Sequence, residues 1–334
     1  MQKKKTNRRS PKRPCQKKKA YRIRNWSEYN AALVQRGSLT VWVDEAASGG
    51  WHNRHPSGKR GASCTYSDSA IVCALSLQAV YHLPLRATQG LLLSVFGLLG
   101  LSLSVPDFST LCRRRKTVLV PLGHSHNHNI HLVVDSTGVK VYGEGEWKVR
   151  QHGWSKRRTW RKLHLGVNEA TGEVLTAVGS GPERADKEVL AELLAQVEVR
   201  VEQVSGDGGY DAAQCYEAVA KCGARATIPP RRNARLHEIQ DQDTCWQARN
   251  QNLLRIRELQ GRRRKDKEWG RKQWKRESGY HRRSLAETAM MRFKTIFGEK
   301  LGARDKAAQD NELLLRCRAL NRMTQLGMPQ SYAV

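Results

Sequence analysis

The chain has 334 residues, enough for a sizeable core and more than one domain, and its 59 Lys and Arg against 31 Asp and Glu leave a net charge of +28. A balance that basic points to a polyanionic partner, because each phosphate contact releases counterions and steers encounter. Eight scattered cysteines with no C-x-x-C pair argue against a disulfide scaffold or a zinc ribbon and for reduced thiols.

Residues 1–24 contain no acid, two prolines and twelve Lys or Arg, so they are expected to form a disordered basic arm and carry no secretory signal. Residues 25–122 are expected to be helical. Trp26, Tyr29, Leu33, Leu39, Val41 and Trp42 mark a short ordered segment, and a Gly/Ser/His-rich loop follows at 46–63. Helices are predicted over 69–81 and 85–99, with Pro84 between them and a turn at 100–104. Pro106 then reads as a first helical position, followed by DFSTLCRRRK. This outline suits a helix-turn-helix reader with Arg113, Arg114, Arg115 and Lys116 on DNA, or an ordinary helical unit whose basic run is solvated. The uncharged run 87–106 nearly reaches the roughly 20 residues of a membrane span. Its Thr88, Gln89, glycines and serines make it a buried helix instead, and no membrane partner is expected.

From Asn129 the period changes. IHLVVDSTGVKVYG alternates as a strand, and WRKLHLGVNEATGEVLTAVGS gives two more with a turn at 169–172. Asp186 is placed to cap the helix KEVLAELLAQVE, VEQVSGD is a strand, 212–221 a helix and 224–228 a strand. The order β-β-β-α-β-α-β predicts an α/β fold with a mixed five-stranded sheet and flanking helices. Residues 231–279 read as a polar, basic, helical insertion, and the remainder as helices.

Two acids close apolar strands: Asp135 after LVV and Asp207 after VSG. Carboxylates there are costly to bury unless paired, and two side by side would raise a pKa or recruit a divalent cation. Asp211-Ala-Ala-Gln214 has the form of a helix N-cap with its box partner, so Asp211 is given the structural role. Further on, Tyr280, Arg283, Glu287 and Lys294 fall on one face of a helix at about 100° per residue. A solvated ion-pair face would present the same pattern.

The spacing Y-x-x-R-x-x-x-E-x-x-x-x-x-x-K resembles the signature around the third acid of DDE transposases of bacterial insertion sequences. LVVDSTGVKVYGEGEW and SGDGGYD look like the first and second acid motifs, and the nearest resemblance is to the insertion-sequence family numbered five. It runs from about Asn25 to Pro329. The resemblance implies an RNase H-like catalytic domain at 123–300 carrying the insertion at 231–279, preceded by the arm at 1–24 and a small helical DNA-binding domain at 25–122, and followed by a helical tail at 301–334. It implies Asp135, Asp207 and Glu287 as catalytic ligands of two Mg²⁺ ions, with Mn²⁺ as a substitute, and DNA contacts from Tyr280, Arg283 and Lys294. The partners implied are terminal inverted repeats and target DNA, bound by a homodimer or higher oligomer in the bacterial cytoplasm, at the nucleoid.

Two features compete for attention. His124, His126, His128 and His131 have metal-like spacing, but alternation in an extended segment would split them between two faces. Trp269 and Trp274 suit either base stacking or the core of the insertion. The rival reading of the whole chain is a non-catalytic DNA-binding or packing protein derived from a transposase, which would not need all three acids.

Overall fold

The computed structural model describes residues 21–43, 50–53, 64–123, 129–141, 160–238, 244–262, 266 and 268–334. Expectations for residues 1–20, for most of 46–63 and for His124, His126 and His128 lie outside them. Tyr21–Ile23, assigned above to the arm, is a strand, β1. The helices that follow are α1 (Trp26–Gln35), α2 (Leu39–Trp42), α3 (Asp68–Val80), α4 (Leu85–Leu98) and α5 (Phe108–Arg114).

The sheet is built from β2 (Asn129–Val141), β3 (Trp160–Asn168) and β4 (Val174–Ser180), then α6 (Asp186–Ala195), β5 (Arg200–Ser205), α7 (Ala213–Lys221) and β6 (Arg225–Thr227). The predicted element order holds. Its strand order is β4-β3-β2-β5-β6, with the first three antiparallel and β2, β5 and β6 parallel. The insertion carries α8 (Thr244–Gly261) and α9 (Trp269–Glu277). A 3₁₀ turn (Tyr280–Arg283) leads into α10 (Ser284–Phe297), and α11 (Lys306–Leu326) and strand β8 (Ser331–Ala333) close the chain. A sixth strand, β7 (Lys300–Leu301), pairs parallel with the far end of β2. At two residues it is too short for an alternating pattern to reveal.

The alternation of β2 divides the core. Val133 and Val139 enter a cluster with α3, α10 and α11, whereas Ile130, Leu132 and Val134 enter one with α6 and α7. Each such side chain, fully buried, contributes about 1.5–3 kcal/mol. The helices α3 and α4 share the first cluster with the sheet rather than standing on a core of their own. β1 pairs antiparallel with β8, so the two ends of the described chain meet in a two-stranded ribbon.

Several local expectations need correction. The basic helix starts at Phe108 rather than Pro106, because Asp107 accepts from the amides of Ser109 and Thr110 and caps it. The cap position of α6 belongs to Ala185; Asp186 is its first helical residue and turns to Lys162 at 3.3 Å. The chain from α4 to α5 runs from 99 to 107, longer than the three- to four-residue turn of a helix-turn-helix. It is α3 and α4 that meet at 110° across a short connection, and α4 carries Arg86 as its only charge. Among the described residues no single helix is long and apolar enough to cross a membrane.

Candidate active site

β2 and β5 run side by side in the same direction with Val133 opposite Ser205. Asp135 and Asp207 each lie two residues past that pair, so the register sets Asp135, midway along β2, beside Asp207, just beyond the end of β5, on strands about 4.8 Å apart. Period-2 alternation also gives Asp135 the same face as Val133, toward α10.

The Asp135 carboxylate is mostly covered, with 17% of its side chain exposed. One oxygen accepts from the Ser136 amide at 2.9 Å and the other from Arg283 Nη1 at 2.9 Å. Burial holds its carboxyl above the ordinary range, against the pull of Ser136 and Arg283, and the nearby charges of Asp207 and Glu287 push the same way. Asp207 caps a 3₁₀ turn, Gly208–Tyr210, by accepting from the Gly209 amide at 2.8 Å. Two glycines permit this. A Cβ on Gly206 would stand 2.8 Å from the Tyr210 ring, and one on Gly209 would stand 2.9 Å from the Asp207 carboxylate. The SGDGG sequence thus lets Tyr210 tuck under the strand end while Asp207 stays at its tip.

Glu287 lies in the first turn of α10. Arg283 joins it to Asp135, donating through Nη2 to Glu287 and through Nη1 to Asp135. The face predicted from a continuous α-helix therefore needs revision. Tyr280 and Arg283 belong to a 3₁₀ turn, in which residues three apart eclipse. The Arg283 guanidinium is directed at the acids rather than outward. Tyr280 packs its ring 6.0 Å from that of Trp274, with Lys275 Nζ 4.8 Å and Arg283 Cζ 5.8 Å from its centre. Lys294 is half-exposed two turns beyond Glu287 and, among the described residues, forms no ion pair.

These carboxylates offer the hard oxygen donors that suit Mg²⁺. Among the described residues no three His, Cys, Asp or Glu side chains stand close enough to hold an ion unaided. In this arrangement it is the guanidinium of Arg283 that bridges two of the acids. The donor chemistry suits a divalent cation, with Asp135 and Glu287 joined through Arg283 and Asp207 just beyond the end of the neighbouring strand.

The other candidates separate. Arg114 is tied to Asp68 and to the Tyr66 carbonyl at 2.8 Å, and Lys116 pairs with Asp305 at 3.3 Å. Arg115 is half-buried, and Arg113 alone of the four is exposed with only a local bond, to Thr110 at 3.3 Å. His131 is bonded to Ser205 at 2.8 Å. Trp274 is 3% exposed, packs with Ile256 and Leu259 and donates to Asn252 at 3.3 Å, so it belongs to the core of the insertion.

Sequence reasoning misplaced Asp211. It is not a helix cap; Ala212 holds that position. Its buried carboxylate accepts from Arg249 Nε at 2.8 Å, the Tyr216 hydroxyl at 3.1 Å and the Arg231 amide at 2.8 Å. The ion pair fastens the helical insertion to the sheet domain immediately behind Asp207. The apolar periodicity of α7 gives no sign of it, since the partner is supplied by α8.

Comparison with known families adds one finding. Residues 127–322 match a family model described as "Transposase DDE domain", and residues 34–144 match a second model of the same description. The longer match covers more than half of the chain and contains every acid of the site.

Proposed function

The chain belongs to the transposase DDE-domain family, and on that premise we propose that it is the transposase of a bacterial insertion sequence, cutting DNA at the element's ends and joining them to a target. The observation that carries this reading is the matched register of Asp135 and Asp207 on parallel neighbours, with Glu287 brought to them through Arg283. The Y-x-x-R-x-x-x-E-x-x-x-x-x-x-K spacing supports a place near the insertion-sequence family numbered five, and the sheet order supports an RNase H-like catalytic domain.

In this reading Asp135, Asp207 and Glu287 hold Mg²⁺, which when bound supplies activation of water and stabilisation of the leaving 3′ oxygen. The rest is the work of the chain. The Ser136 and Gly209 amides fix one oxygen each of Asp135 and Asp207, and Arg283 holds the second oxygen of Asp135. Tyr280 braces Arg283, and Lys294 presents a free charge to a flanking phosphate. The residues ahead of the sheet, Arg113 among them, contribute to recognising the terminal inverted repeats. The partners are element-end and target DNA, engaged by two or more copies in the cytoplasm.

The test is Mg²⁺-dependent nicking of a plasmid that carries the DNA bordering the reading frame on both sides. Wild-type protein is expected to nick it and to lose nicking with EDTA. Asp135→Asn, Asp207→Asn and Glu287→Gln are each expected to abolish nicking while retaining DNA binding. Binding without any nicking by the wild type would favour the non-catalytic DNA-binding reading.

A further inference from the structure

A cation outside the Tyr280–Lys294 signature reaches the same site from the helical insertion. Lys275 lies on α9 one turn beyond Arg271, and its Nζ stands over the Tyr280 ring that also faces Arg283. The two cations differ in one respect. Arg283 is engaged by Asp135 and Glu287, whereas Lys275, among the described residues, forms no ion pair. Burial lowers the pKa of Lys275, and the like charges of Arg271 and Arg283 add to that effect against the opposing Glu268. A half-buried cation beside two others is an arrangement an anion would relieve.

The position of Lys275 is held by the frame. Arg271 Nη1 donates to the Pro230 carbonyl at 2.6 Å, and Gln203 Nε2 reaches the Ser278 carbonyl at 3.2 Å, so both ends of α9 are tied to the sheet domain. Trp274, next in sequence, is buried against α8, and Arg249 of α8 is clamped on Asp211. Lys275 is therefore set at a fixed distance from the carboxylates, and Tyr280 is the spacer between it and Arg283.

We propose that Lys275 binds a phosphate of the DNA strand lying across Tyr280, adjoining the phosphate presented to Asp135, Asp207 and Glu287. The inference rests on the DNA-processing reading above. It assigns to the insertion a direct part in strand placement, through a residue that the helical signature does not contain.

The experiment measures binding of the full chain, without divalent metal, to a duplex cut from the DNA bordering the reading frame, over a series of salt concentrations. One phosphate contact contributes about 0.9 to the slope of log K against log salt. Lys275→Gln and Lys275→Met are expected to reduce the slope by about that amount, with thermal melting unchanged, and Lys275→Arg to restore it. A wild-type slope in both neutral variants, with melting unchanged, would overturn the assignment. The nicking assay decides the catalytic reading separately, since a chain that binds and does not cut still yields a slope.

Discussion

Replacing Asp211 with alanine separates a helix cap from a buried clamp. The side chain of Asp211 is 1% exposed and that of Arg249 8%, at 2.8 Å. Removing the carboxylate leaves the Arg249 guanidinium buried without its counter-charge, with one remaining bond to the Arg235 carbonyl. The Tyr216 hydroxyl and the Arg231 amide lose their acceptor at the same time. Removing one partner of a buried ion pair costs about 3–5 kcal/mol, whereas losing a cap costs about 0.5–2 kcal/mol. Equilibrium urea unfolding of Asp211→Ala against wild type reads the difference. The double variant Asp211→Leu with Arg249→Met is expected to recover most of the loss, because an apolar pair of similar volume has no charge to desolvate. A cost for Asp211→Ala inside the cap range, or no recovery in the double variant, would refute the clamp.

Three further outcomes are expected. Arg282 is exposed and pairs with the half-buried Glu169 at 2.9 Å, so Arg282→Ala should change stability by at most about 1 kcal/mol and leave nicking near wild type, whereas Arg283→Ala should depress nicking strongly; equal effects would contradict the assigned geometry. His164 is fully buried, bonds Ser180 at 2.8 Å and has its pKa lowered by burial from 6.5 to about 4. Its neutral form is favoured in the fold, so stability is fully present above pH 6.5 and falls by about 3 kcal/mol as pH drops from 6.5 to 4; the fall should be smaller in His164→Gln when unfolding is followed across that window. Trp274→Ala should cost about 3–5 kcal/mol by thermal or urea unfolding, the price of an emptied core site, and a near-wild-type stability would return Trp274 to a DNA-stacking role.

What the sequence made legible was whatever local pattern encodes. LVVD and VSGD announce apolar strands bearing acids, although β2 continues past Asp135 to Val141, and the turn at 169–172 announces the hairpin between β3 and β4. Glu287 was legible through spacing alone, since nothing in α10 itself distinguishes it from a solvated acid. The unread parts depend on partners far along the chain. Asp211 looks like a cap because its neighbours have cap chemistry, and its ion pair is contributed by a residue 38 positions away. A helical wheel cannot show that Tyr280–Arg283 is wound as 3₁₀, nor that Arg283 turns back to a strand 148 positions earlier. Arg114 and Lys116 read as a free basic run, yet Asp68 and Asp305 claim them from elsewhere in the fold.

The ribbon of β1 and β8 has a consequence for the timing of assembly. Tyr21 pairs with Ala333 and Ile23 with Ser331, so β1 has no mate until a strand about 300 residues further along has been made. At about 5–20 residues per second, ribosomes would leave β1 waiting for tens of seconds while the sheet and its helices form around later segments. The Asn25 side chain waits likewise for the Met328 carbonyl and the Gln330 amide. β1 is thus among the last of the described elements to settle, and a nascent chain stalled before residue 331 would hold Asp135, Asp207 and Glu287 without the seam between β1 and β8.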